Sequence, residues 1–305
     1  MRIQLTDKAK QILESIYYNR PEIKINYQID DKLEKQTGAL GQHEIDDKTG
    51  DSIIIIDAKH ITEQVITHEL LHCYMYSAKY PKLRVLNFEN DIINFVATHV
   101  ENVIAHKIIQ RKQDLLGIDT EDFNKKFAYS LGENITYEPN EFERQFKFSF
   151  KILDAEIRCK NIECNYKNAI MNKFPTSYGI FTQIYTEIIN YDFYTPFEYR
   201  RAMIKILRVC ENILFNNGFK IEFNRAIATE FVPSKRQLTL RVDQIFDFKP
   251  SINEFNDEKG YVLMSKSENQ ACYFINKVNT EEKERLAKKT LISFFDDLNI
   301  KYSVR

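Results

Sequence analysis

TEQVITHELLHCYMY, residues 62–76, is the stretch from which the rest of the chain can be placed. It holds His68, Glu69 and His72 in the order H-E-x-x-H. On a helix, positions i and i+4 share one face, so both imidazoles can reach one Zn²⁺ from the same side. Glu69 follows the first of them and is placed to take a proton from a water activated by that ion. The segment reads as helix, because Ile61, Val65, His68, His72 and Met75 recur at helical spacing. Leu70 and Leu71 are expected to pack it into its surroundings, with Asp57 as its N-cap. Neither Pro nor Gly interrupts residues 58–78. The same residues also fit two plainer readings, hydrogen-bonded core histidines or a structural zinc. A structural site usually carries four protein ligands, often Cys, and would leave Glu69 without a role.

All six histidines lie between His43 and His106. A metal site built on imidazole therefore belongs to the first third of the chain. Composition narrows the rest. Charged residues are 29% and nearly balanced, for a net charge of -1, which points to neither nucleic acid nor a membrane surface as partner. The start, MRIQLTDKAKQILESIYY, lacks the basic-then-apolar order of a signal peptide. No apolar run reaches the length of a membrane span. Five cysteines are an odd number and read as reduced thiols in a cytoplasmic protein.

Outward toward the N-terminus, residues 6–18 read as an amphipathic helix with Thr6 as cap and Ala9, Ile12, Ile16 and Tyr17 on one face. Residues 22–29 alternate as a half-buried strand. Residues 42–45 and 52–56 look like two strands joined by a polar turn, DDKTGD. The second, SIIII, is apolar on both faces and is expected to be central. Helix, strands, then an H-E-x-x-H helix is an order that resembles the zincin metallopeptidases. The likeness rests on His68, Glu69 and His72 just after a strand and covers about residues 42–119. It implies that the strand at 42–45 or at 52–56 borders the cleft, where an extended peptide would pair as an added strand.

A catalytic zinc needs a third protein ligand. Residues 90–111 read as a helix apolar almost all round, hence buried, yet it carries Asp91, His99, Glu101, Asn102 and His106. Buried polar groups need partners, and a metal is one. His106 is favoured as third ligand, then Glu101, then Asp91, which follows His72 after a spacing resembling one zincin group. Asn102 or His99 would orient a ligand by hydrogen bond. The run N102-x-x-x-H106 followed by LLGID at 115–119 resembles a pattern in a poorly characterised group of bacterial H-E-x-x-H proteins.

Further on, residues 120–129, 141–157, 178–189 and 196–214 read as helices rich in Phe and Tyr. Cys159 and Cys164, spaced C-x₄-C, are a weak metal signal without a second pair, and Cys73 reads as packing. After Gly218 the period changes. Residues 220–223, 237–242, 261–264 and 272–278 alternate like strands, and 280–298 reads as a helix. The expected architecture is α+β. A mostly helical zincin-like domain with a small N-terminal sheet spans residues 1–218, with its active-site helix at about 58–78 and its third-ligand helix at about 90–111. A small α+β unit follows at 219–305 and could recognise a protein partner. The expected activity is zinc-dependent hydrolysis of a peptide or protein substrate, with His68, His72 and His106 on the metal and Glu69 as general base. The alternative is a catalytically silent fold of this kind that binds or senses through a partner.

Overall fold

The run SIIIID at residues 52–57 has no polar face to offer solvent, and it lies in the middle of a sheet. A computed structural model of the chain describes residues 3–46, 48–86, 90–134, 137–159, 164–189, 193–253 and 258–305. The fold is α+β with a small N-terminal sheet, as the sequence implies. It divides into two compact units that interleave along the sequence, residues 1–80 with 105–126, and residues 81–104 with 127–305. Residues 219–305 fall inside the second unit.

The first unit contains α1 (Asp7–Asn19), β1 (Ile25–Asp30), α2 (Leu33–Thr37), β2 (Gly41–Ile45), β3 (Ser52–Asp57) and α3 (Glu63–Ser77). It also takes the last turns of α4 (Asp91–Leu115) and the start of α5 (Glu121–Asn134). The sheet order is β1-β3-β2, with β1 parallel and β2 antiparallel to β3. Ile54 and Ile56 are fully buried. α3 packs on β2 and β3, and α1, with Ala9, Ile12 and Ile16 buried, packs on α3. Tyr17, read as part of that face, is largely exposed. The Cys73 thiol donates to Ser52 Oγ at 3.2 Å, both groups buried, so this cysteine fastens α3 to the central strand.

Thr62, not Asp57, caps α3, accepting from the Val65 N–H. Asp57 ends β3, and its carboxylate instead accepts from the N–H groups of Lys59 and Glu34. α3 ends at Ser77 with Ala78 as its C-cap, Lys79 just beyond adopts a positive φ of 57°, and the Tyr80 N–H closes the turn on the Met75 carbonyl before Pro81.

In the second unit, β4 (Leu83–Val85) pairs antiparallel with β5 (Ile227–Thr229). The long helices are α6 (Phe142–Arg158), α7 (Cys164–Lys173), α8 (Pro175–Ile189) and α9 (Pro196–Asn216). Short helices α10 (Phe223–Ala226), α11 (Lys235–Leu238) and α12 (Val242–Ile245) follow. The meander β6 (Phe246–Asn253), β7 (Glu258–Ser265) and β8 (Gln270–Asn276) precedes α13 (Thr280–Lys288) and α14 (Leu291–Asp297). Strands expected at 220–223 and 237–242 are absent there. Residues 235–238 instead form a helical turn closed by a Ser234–Gln237 capping box. The helix expected over 280–298 is two, because Thr290 caps a new start. Among the described residues, no helix is long and apolar enough to cross a membrane.

Candidate metal centre

Helical spacing does for His68 and His72 what it predicts. Their ring centroids lie 5.0 Å apart on one side of α3. His106, from the last turns of α4, joins them at 5.0 Å from His68 and 5.5 Å from His72. One nitrogen from each of the three rings lies within 4.8 Å of the other two. Two nitrogens on a tetrahedral zinc at 2.0–2.1 Å stand about 3.4 Å apart, so closing by at most about 1.4 Å gathers this set around one ion. His106 is 7% exposed, whereas His68 and His72 are half-buried.

The donor chemistry fits such an ion. Imidazole is a zinc ligand only when neutral, through a ring lone pair. Three lone-pair donors from two helices converge here, and a divalent cation satisfies all three together. Among the described residues, no fourth His, Cys, Asp or Glu belongs to the group. A three-ligand set leaves one coordination position open, as catalytic sites do and structural sites do not.

His106 is held to α3 by a residue the sequence reading passed over. Gln113 stands seven positions after His106, two turns on and on the same face. It is 2% exposed, and its amide donates to the Gln64 carbonyl at 3.1 Å and to Thr67 Oγ1 at 3.0 Å. Thr67 in turn donates to the Glu63 carbonyl. This clamp ties α4 to the turn of α3 just before His68. The LLGID turn completes it. Gly117 takes a φ of 65°, the Ile118 N–H returns to the Gln113 carbonyl, and the Asp119 carbonyl accepts from Gln64. Gln110, Thr120 and Asn124 form a buried network that fastens the start of α5 to α4. The signal was a buried amide at helical spacing from a buried histidine.

No family model, characterised protein or solved structure matches the chain.

The other ligand candidates are otherwise engaged. Asp91 is exposed in the first turn of α4, and Asn102 is exposed as well. Glu101 accepts from the Leu83 N–H at 2.9 Å, and burial pushes its carboxyl above the ordinary range. His99 bonds the Phe95 carbonyl through Nδ1 at 2.9 Å and stacks on the Phe95 ring. Cys159 is buried beside Ala128 and Ala155, and the side chain of Cys164 lies outside the described residues. Glu69 is 5% exposed, with its side chain against Gly41 at the start of β2. A second cluster, Glu34, Asp57 and His60, also brings its donor atoms within 4.8 Å. Its centre, Asp57, already accepts two main-chain N–H groups and meets His60 Nδ1 at 3.2 Å. That arrangement fastens α2 and the loop after β3.

Proposed function

We propose that the chain is a zinc-dependent hydrolase cleaving a peptide or amide bond, with the zinc on His68, His72 and His106. The observation that carries this reading is the arrival of His106, an imidazole outside the H-E-x-x-H motif, beside the two inside it. A zinc held by His68, His72 and His106 would supply Lewis-acid chemistry toward water and the scissile carbonyl. Half-buried His68 and His72 keep one side of the set accessible, while buried His106 closes another. Glu69 accepts the proton of the attacking water on a carboxylate oxygen and delivers it to the leaving amine.

The sheet supports a peptide substrate. Of the two strands that could border a cleft, β3 is central and β2 is at the edge. The Asp57 N–H bonds the Leu40 carbonyl. Alternation of the antiparallel ladder then turns the main-chain groups of Gly41, His43 and Ile45 away from β3. An extended peptide added along that edge would run past Gly41, which touches Glu69. These features resemble the zincin metallopeptidases.

The test pairs elemental analysis with a broad peptide-cleavage screen. One zinc per chain with cleavage is expected. Glu69→Gln should keep the zinc and lower turnover by at least about 10²-fold, the range of a general base. Full hydrolysis by that variant would remove Glu69 from the mechanism. Zinc without cleavage would favour a binding or sensing module.

A further inference from the structure

We infer that Gly41 is a positioning residue, the fixed wall that holds the Glu69 carboxylate. A Cβ at position 41 would stand 2.8 Å from Glu69 Cγ, 2.8 Å from Glu69 Oε1 and 2.9 Å from Val65 Cγ1. Carbon atoms in good contact sit at about 3.5–4.0 Å, so a side chain at position 41 requires Glu69 and Val65 to shift. Gly41 is not among the residues with positive φ. Space alone, not backbone conformation, therefore demands glycine here.

Neither side of the contact yields easily. Val65 and Glu69 are one turn apart on α3. Val65 is β-branched and stiff at χ1, and Glu69 Cγ lies only one bond beyond Cβ. Gly41 is held opposite Ile56 by the β2–β3 ladder, with the Leu40 carbonyl accepting from the Asp57 N–H. An added methyl must therefore move the Glu69 carboxylate or lift β2 from α3. The bare Cα of Gly41 leaves the room in which the Glu69 side chain lies.

The inference rests on Glu69 as the proton-transferring group, so its test includes a readout that needs no turnover. The full chain is prepared zinc-loaded as wild type, Gly41→Ala, Glu69→Ala and the double variant. Thermal midpoints and zinc content are measured for each. Overpacking of this kind combined with the size of the chain gives Gly41→Ala a loss of about 3 °C with one zinc retained. In the Glu69→Ala background the loss shrinks to half or less, the remainder belonging to Val65. On a peptide found in the screen, Gly41→Ala lowers kcat by roughly 10²-fold, the scale of an ångström misplacement, with KM little changed. Adding Val65→Ala restores part of the thermal midpoint but not kcat. Equal thermal losses with and without the Glu69 side chain overturn the inference, as does an unchanged kcat in Gly41→Ala. Should wild type cleave no peptide, the hydrolase reading fails and the positioning role with it, while the thermal cycle still decides whether Gly41 makes the room for Glu69.

Discussion

Replacing Gln113 with Leu should weaken zinc binding without touching a zinc ligand. The side chain is 2% exposed and makes two hydrogen bonds to α3, at 3.1 and 3.0 Å. Net contributions of 0.5–1.5 kcal/mol each give a loss of about 1–3 kcal/mol, partly offset by the apolar replacement. The change strands no donor, since Thr67 Oγ1 still donates to the Glu63 carbonyl at 2.7 Å. Freed from the clamp, the last turns of α4 hold His106 less firmly toward His68 and His72. A tenfold weaker Kd removes about 1.4 kcal/mol of zinc-dependent stabilisation at saturating metal. Chelator competition measures the Kd, and denaturant unfolding with and without zinc measures the stabilisation. A Gln113→Leu protein that loses metal-free stability but binds zinc as tightly as wild type would refute the clamp.

Two further substitutions separate ligands from bystanders. Glu101→Gln should retain one zinc per chain. Burial raises the folded-state value of this carboxyl above its ordinary 4.5. Its contribution to stability is therefore present below 4.5 and lost as pH rises through the raised value. The amide removes that dependence, so denaturant unfolding at neutral pH should show Glu101→Gln at least as stable as wild type, and loss of zinc would make Glu101 a ligand after all. Asp57→Asn should destabilise the metal-free protein at neutral pH. The Lys59 N–H first, then the Glu34 N–H, hold the Asp57 carboxyl below its ordinary 3.8. That contribution is present above 3.8 and disappears as pH falls through the lower folded value, so the gap between variant and wild type should close in acid. A gap that persists unchanged at low pH would assign the effect to shape, not charge.

The parts legible in the sequence were those set by a strong period or an obligatory partner. His68 and His72 sit on one face because four residues make about one turn, and His106 could be singled out because a buried imidazole on an apolar helix needs a partner. SIIII was placed centrally because it had no polar face. What stayed hidden depended on contacts distant in sequence or on short runs. Asp57 and Thr62 are both good caps, and only the strand pairing of Asp57 with Asp30 removes it from contention. Gln113 looks like any polar helix residue until α3 lies beside it. Four-residue alternation cannot separate a strand from one helical turn, so 237–242 misled, although Ser234 and Gln237 spelled out a capping box. β6 carries Pro250, which argues against a strand interior, and it is tolerated because β6 is at the sheet edge, pairing among the described residues with β7 alone. Gly41 carries no sequence signal of its use, which is to let a strand approach a glutamate.

Crystals of the zinc-loaded chain, measured on both sides of the zinc absorption edge, locate the ion without reference to activity. One anomalous peak bonded at about 2.0–2.1 Å to a nitrogen of each of His68, His72 and His106 is the expected result. A peak that leaves His106 uncoordinated, or that sits instead among Glu34, Asp57 and His60, would contradict it.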